Sequence, residues 1–592
     1  MGKEKYTNIP TKVIDLLNDV KNGKTGLPDL QRPFVWGDNK VRDLLDSMLK
    51  GYPIGYVMLW STPQSFSKTA HIGQENKIYA MPEDLVIDGQ QRLTSLLSAL
   101  YGIKVKDKDY KEKNIRICYN PLTREFAVWT SSYANNPEWI DCVSDVFDVN
   151  SNRSLSRYRR KYIKELNEAR QKRGQSILTE DDEELIETNI GDLLDLSTYL
   201  LPTLKINANA TEEDVAEIFV RVNSGGQKLN EKNFIETLLA VYDVEAHKHI
   251  RYFCEQSTIP CNGTSYNPII KLDPSHLIRM AVGYGFKRAR LQYAYKLMRG
   301  KDLKTGEISA QTRDENLKVF KDALAVVTNL NNWHGYINLF AGAGYYTKDF
   351  IAAPNCVVFS YILYLLGKNE YKLKTVELNK IMKKWIYMAT ITSYFSQSTE
   401  STVEKIFADL RSVNTADDYI MYLNKAIAEK FTDDYFNITL PKELEVSSAI
   451  APEWYGYIAA LNVLGTPMLF STAPLSQFLV AGASGTKNAI DKHHIFPKAY
   501  LTSVGIQEDR DRNQVANFTY LDYSTNIDIS DNPPSEYVHK YRAQLGEEQY
   551  QKTCQENALP FGFDNMDYFD FLAARRCLMA EIVKKGYEAL CK

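Results

Sequence analysis

The stretch Ile490-Asp491-Lys492-His493-His494-Ile495-Phe496-Pro497 sets two of the chain's eight histidines side by side, with an acid before them and a proline after. It reads as a short strand ending in a bend. Successive strand residues point to opposite faces, so the bend aims one imidazole one way and its neighbour the other. Downstream, Asn517-Phe518-Thr519-Tyr520-Leu521 reads as a second strand and Ser524-Thr525-Asn526 as the first turn of a helix. Strand, loop, strand and helix then surround one point. A histidine near its reference pKa of about 6.5 is largely neutral at pH 7 and accepts a proton from water. A second histidine or an aspartate, together with an amide oxygen, holds one divalent ion, and the neutral amide leaves the ion's charge available. An activated water and a cation on the scissile phosphate are what phosphodiester hydrolysis needs. Imidazoles packed in an ordinary core strand are the alternative, and the joint pattern of Asp, His, His, Pro, Asn and Asn weighs against it. Asn513 competes with Asn517 and reads as a loop residue.

A second constellation lies near the N-terminus. Leu85–Asp88 reads as a buried strand, Gly89-Gln90-Gln91-Arg92 as the turn after it, and Leu93, Leu96, Leu97 and Leu100 as one face of the following helix. Free N–H groups, the positive end of the helix dipole and an arginine in the first turn make an anion site. Asp88 is placed there to hold a metal, a water or a sugar hydroxyl. Two further segments suit the same pocket: Leu30-Gln31-Arg32-Pro33-Phe34-Val35-Trp36 and Phe219-Val220-Arg221-Val222-Asn223-Ser224-Gly225-Gly226. Glycine pairs let backbone approach a ligand closely, although most are plain turns.

The two constellations carry two resemblances. Asp491 to Pro497, then Asn517 to Leu521, then Asn526, resembles the HNH (His-Me finger) nucleases and their ββα-metal motif. The resemblance implies that His494 is the general base, that His493 and Asn526 hold the metal, and that Asn517 braces the loop carrying the base. Asp491 would orient an imidazole or bind the ion through water. The segments around Gln31, Asp88 and Arg221 resemble the N-terminal domain of the GmrSD-type, modification-dependent (type IV) restriction proteins. That family implies a ParB/sulfiredoxin-like α/β fold that binds and hydrolyses nucleoside triphosphates, GTP or ATP, fused to a C-terminal HNH domain. It puts Asp88, Gly89, Gln90, Gln91 and Arg92 at the triphosphate, with Gln31, Arg32, Arg221 and Asn223 lining the cleft. No G-x-x-x-x-G-K-[ST] loop occurs, so the nucleotide cradle is of another kind.

The rest of the chain bounds these readings. With 592 residues, three or four domains are expected. The boundaries read as an α/β domain over 1–240, an α-helical middle over 241–440, and an α+β domain over 441–592. Thr11 is expected to cap a first helix and Asp38 a second. One strand is expected over 54–60, and a hairpin over 115–129. Two closing helices fall at about 535–556 and 566–590. The net charge of −3 excludes a polycation, so DNA contacts come from local patches. One patch, 153–173, holds nine Lys/Arg against two Glu, and six acids over 180–187 then neutralise it or stand apart. A second, 287–304, interleaves bases with tyrosines. Trp36, Arg288, Arg290, Lys296 and Lys498 are the DNA-contact candidates. The eight cysteines form no C-x-x-C pair, no apolar run spans a membrane, and the N-terminus carries no signal region, which reads as a reduced cytoplasmic protein.

The combined expectation is an NTP-regulated endonuclease that needs Mg²⁺ or Mn²⁺ and cuts or nicks double-stranded DNA in defence against phage, the DNA being modified or otherwise foreign. An oligomer or a partner protein fits that reading, and a membrane does not. Two rivals stand beside it: a nucleotide-dependent DNA-binding switch with an inactive nuclease domain, and a regulated RNA-cleaving toxin.

Overall fold

The computed structural model describes residues 4–26, 36–61, 82–107, 111–151, 155–210, 212–223, 239, 243–298, 300–302, 305–307, 309–396, 398–448, 450–479 and 490–592. Contacts divide the chain into two compact units, Met1–His249 and Ile250–Lys592.

The first unit is mixed α/β. Its five-stranded sheet uses β1 (Tyr6–Lys12), β2 (Thr25–Gly26), β3 (Val57–Ser61), β4 (Asp84–Asp88) and β5 (Leu200–Ile206), in the order β1-β5-β3-β4-β2. β1 runs antiparallel to β5 and β3 antiparallel to β4, while β3–β5 and β2–β4 are parallel. Helix α1 (Val13–Lys21) buries Val13, Leu16, Leu17 and Val20, and α2 (Asp38–Leu49) buries Val41, Leu44, Leu45 and Met48. These are the three- and four-residue spacings of one helical stripe. Together with α3 (Gln90–Tyr101) they form one core with the sheet, the hairpin of Ile117–Asn120 and Glu125–Val128, and the helix Glu180–Asp195. The buried Asp84 carboxylate accepts from Lys205 Nζ at 2.7 Å and Ser61 Oγ at 2.8 Å, tying three strands together at one end.

Several local expectations are corrected here. Thr11 does not cap α1, because β1 runs through Lys12 and pairs Thr11 with Leu201, leaving α1 without a side-chain cap. Asp38 is the first residue of α2 rather than its cap, and its carboxylate accepts from Lys113 Nζ at 2.7 Å. The strand expected from 54 begins at Val57. The acidic run has a place of its own. Thr179 forms a capping box with Asp182, and Glu180, Asp181, Asp182 and Glu183 fill the first helical turn, where the dipole favours negative charge.

The second unit is helical apart from one antiparallel pair among its described residues, β6 (Ile490–His494) with β7 (Phe518–Asp522). Helices α4 (Pro354–Leu365), α5 (Thr375–Ile391) and α6 (Pro452–Leu464) are buried over most of their surface. Short α7 (Tyr523–Ile529) follows β7, and α8 (Tyr568–Cys591) closes the chain. α8 lies against α6 and α5, with Tyr387 Oη donating to the Val583 carbonyl at 2.9 Å. The helices before residue 440 and the strand pair after it therefore share one unit. The helix expected over 535–556 is two, Pro534–Leu545 and Glu547–Glu556, broken at Gly546, whose φ of 76° is left-handed. Among the described residues no helix is long and apolar enough to cross a membrane.

Arg575 on α8 is 0% exposed. Its Nη1 donates to the carbonyls of Ala516 and Phe518 at 2.7 and 2.8 Å, on either side of Asn517. Burial holds its pKa down, against the pull of Tyr457. Replacing Arg575 by methionine keeps the bulk and removes both charge-assisted bonds. The full-length Arg575→Met chain is expected to lose roughly 1.5–3 kcal/mol of stability, read as a lower denaturant midpoint. An unchanged midpoint would show that the two carbonyls do not depend on this arginine.

Candidate active site

The β6–β7 register sets His493 opposite Thr519 and His494 opposite Phe518. The two imidazoles leave the strand end in different directions, each to its own asparagine. His493 is buried, and its Nδ1 lies 2.7 Å from Asn526 Oδ1. Asn526 sits in the first turns of α7, whose start is fixed by Asp522, an N-cap accepting from the Thr525 N–H at 3.0 Å. His494 Nε2 lies 3.1 Å from Asn513 Oδ1, and the ring stands edge-on to Phe518 at 4.8 Å between centroids.

Asn517 connects these parts. It is 0% exposed. Its Oδ1 accepts from the Phe496 N–H at 2.8 Å, and its Nδ2 donates to the carbonyls of Phe496 at 3.0 Å and Arg512 at 3.2 Å. Its own carbonyl accepts from the Ile495 N–H at 2.8 Å. The turn immediately after His494 is therefore closed by one side chain. Two tyrosines add to the frame, Tyr537 Oη donating to the Ile495 carbonyl and Tyr568 Oη to the Asp511 carbonyl, each at 2.8 Å.

Burial lowers the pKa of His494 to about 4; the Asn513 contact opposes this, and the positive charges of Lys498, His493 and Lys492 add to it. Burial likewise lowers His493, against the Asn526 hydrogen bond. Burial therefore favours the neutral form of both rings. Lys492 Nζ stands over the Phe518 ring at 4.4 Å, and exposed Lys498 lies 4.0 Å from Asp509.

The donors fit a divalent ion. His493 Nδ1 and Asn526 Oδ1 face one another at 2.7 Å, close enough for both to enter one ion's shell. Among the described residues no group of three or more His, Cys, Asp or Glu could hold a metal. The side chain of Asp491 lies outside them. The described donors are one imidazole and one amide, both neutral.

In the first unit, Gly89 takes a φ of 91° at the turn from β4 into α3, and no side chain caps that helix. An added Cβ there would come within 2.9 Å of Val57. Asp88 ends β4 half-buried. Gln90 is buried, with its Nε2 donating to the Val86 carbonyl at 2.9 Å, and Arg92 Nη1 donates to the Tyr56 carbonyl at 2.6 Å. The Arg92 guanidinium packs so close to Gly55 that a Cβ there would lie 2.7 Å from Nη2. Burial lowers the Arg92 pKa, with Asp88 opposing. Two of the motif's side chains thus brace the turn, and no side chain caps the N-terminus of α3 beside Asp88.

Arg221 is exposed and lines an open cleft of about 790 Å³ with Lys5, Tyr6, Asn8, Asp214 and Ile218. Sheet register puts Asp88 in a row with Met58, Leu204 and Asn8, three strand spacings or about 14 Å from β1. The structure brings Asp88 and Arg92 together and sets the Arg221 cleft at the sheet's other edge. Gln31, Arg32 and residues 224–226 lie outside the described residues, as does the Asn223 side chain. Of the DNA-contact candidates, Trp36 packs against the core of the first unit. Arg288 lies 3.6 Å from Glu404 and 5.0 Å from the Tyr293 ring, which Lys296 also approaches at 5.3 Å. Arg290 is half-buried.

The sequence reading passed over Asn513 as a contact of His494, and also Arg575, Tyr537 and Tyr568. Arg575 had a signal. Phe571, Leu572, Met579, Ile582, Val583 and Gly586 are buried along α8, and an arginine in phase with that stripe must find polar partners inside. Asn513 had none, since its contact crosses from a loop to a strand.

Comparison with known proteins agrees with this division. Residues 13–240 match the family described as GmrSD restriction endonuclease, N-terminal domain. An uncharacterized protein of Methanocaldococcus jannaschii, MJ0686, is 23% identical over 557 residues, covering 89% of this chain and 86% of its own length. That likeness runs well past the family match. The first unit is therefore similar to the N-terminal domain of a GmrSD restriction endonuclease.

Proposed function

We propose that the chain is an NTP-regulated, divalent-metal-dependent DNA endonuclease of the type IV restriction kind, acting against foreign DNA. The observation that carries the reading is the pair of neighbouring imidazoles, each led to its own asparagine, in a chain whose first unit resembles a restriction endonuclease domain. The strand pair followed by α7 is read as an HNH nuclease element of ββα-metal type.

The chemistry follows from the residues. Neutral His494 takes a proton from a water, the water oxygen forms a bond to phosphorus, and the ester P–O bond breaks, its oxygen being protonated from solvent. His493 and Asn526, with Asp491 nearby in sequence, are the residues to hold Mg²⁺ or Mn²⁺. When bound, the ion neutralises charge on the scissile phosphate. Asn517 keeps the turn after His494 from opening. Lys492 and Lys498 offer the DNA backbone positive charge beside the base.

In the first unit, the uncapped N-terminus of α3 is the proposed seat of the triphosphate. Its first-turn N–H groups and the neighbouring Asp88 do the binding, while Gln90 and Arg92 keep the turn in shape. Arg221 and the cleft it lines are then read as a separate contact surface.

Two outcomes test this. With full-length protein, plasmid nicking in Mg²⁺ or Mn²⁺ is expected to stop on adding EDTA and to fall by about 10²- to 10⁴-fold in His494→Ala. Nicking that persists at the original rate in that variant refutes the assignment of the base. Turnover of GTP or ATP is expected to disappear in Asp88→Ala while His494→Ala leaves it intact. Unchanged turnover in Asp88→Ala would remove the nucleotide site from the β4–α3 turn.

A further inference from the structure

We propose that Asn513 is a positioning residue for His494, holding the imidazole with its proton on Nε2 so that Nδ1 is the nitrogen facing the attacking water. The inference rests on the nuclease reading above.

The geometry has three parts. First, Asn513 Oδ1 lies 3.1 Å from His494 Nε2. An amide oxygen only accepts, so the imidazole nitrogen facing it carries the hydrogen. A neutral imidazole has one N–H, and Nδ1 is left with the lone pair.

Second, the contact is built from several directions. Asn513 ends the short helix Asp509–Arg512, donating its N–H to the Asp509 carbonyl at 3.0 Å. The segment on either side of it is anchored. Tyr568 Oη donates to the Asp511 carbonyl, Asn517 Nδ2 to the Arg512 carbonyl, and the Val515 N–H to the Val446 carbonyl. Phe518 meets the imidazole with its ring edge-on. The His494 plane is thus fixed by an amide and an aromatic ring on separate elements.

Third, the neighbouring imidazole is pinned the other way. His493 uses Nδ1 toward Asn526 Oδ1, the pair of donors proposed above for the ion. Two adjacent rings are therefore held through opposite nitrogens. His494 meets its asparagine through Nε2 and His493 through Nδ1, a division that suits a base beside a ligand. A neutral amide at Asn513 sets direction without adding charge, so His494 stays neutral at rest.

The test uses the full-length chain. Selective ¹⁵N-histidine labelling gives eight histidines to resolve, and His494→Gln assigns the signal. In EDTA at neutral pH, His494 is expected as the Nε2–H tautomer, shifting toward a tautomeric mixture in Asn513→Ala. In Mg²⁺, Asn513→Ala is expected to lower kcat for plasmid nicking by roughly 10- to 100-fold with KM for DNA unchanged. Asn513→Asp, which keeps an acceptor oxygen in place, is expected to recover most of that loss. An Nδ1–H tautomer in the parent chain would overturn the proposal, because the Asn513 amide would then be turned to donate. So would an Asn513→Ala variant that nicks at the parent rate, or an Asn513→Asp variant as impaired as the alanine. Nicking that depends on His494 and not on Asn513 removes this proposal alone, whereas nicking indifferent to His494 removes the nuclease reading itself.

Discussion

The second unit's strand pair depends on one buried amide. Asn517 satisfies both backbone polar groups of Phe496, the residue two past His494, and closes the turn from inside. A backbone N–H or C=O left buried without a partner costs about 1–3 kcal/mol. Phe496, Ile495 and Arg512 all present such groups to this one residue. No apolar side chain of similar size serves them together. The direction of His494 follows from this constraint, because the strand cannot rotate at its end while the next two residues are held. Arg575 then holds the carbonyls on either side of Asn517, so the frame is doubled from α8.

Arg575 is fully buried, and its Nε and Nη2 have no hydrogen-bond partner among the described residues. Desolvating a charge is expensive. Two carbonyl oxygens converge on one nitrogen, and those oxygens belong to the segment that must stay fixed.

What the sequence made legible was local. The His–His strand, the β7 strand, the turn at Asp88 and Gly89 and the helix of Leu93, Leu96 and Leu97 announce themselves through periodicity and turn chemistry within about ten residues. Thr11 misled because β1 found a partner nearly 200 residues away, at β5, and pairing overrode a capping preference. The break at Gly546 was visible as a glycine but not as a left-handed one. The site divides in the same way. His493, His494, Asn517 and Asn526 are recognised as a set by spacing. Asn513 and Arg575 act through contacts that only the closed fold creates. In the first unit, Gln90 and Arg92 were legible as a motif, yet their side chains turn inward to Val86 and Tyr56. A motif marks where backbone must take one shape as readily as where side chains meet a ligand.

The charge arrangement bears on what the candidate active site can bind. The described donors around β6 are imidazole and amide, all neutral, and Lys492 and Lys498 stand close to His494. A carboxylate-rich site would cancel much of a divalent ion's charge and repel a phosphodiester besides. A neutral donor set does neither. The chain as a whole is slightly acidic at −3, so long-range attraction does not bring a nucleic acid to it. Local positive charge at Lys492 and Lys498 must do that, and such attraction fades over a Debye length of about 8 Å at physiological salt. The site is therefore suited to a backbone already held nearby.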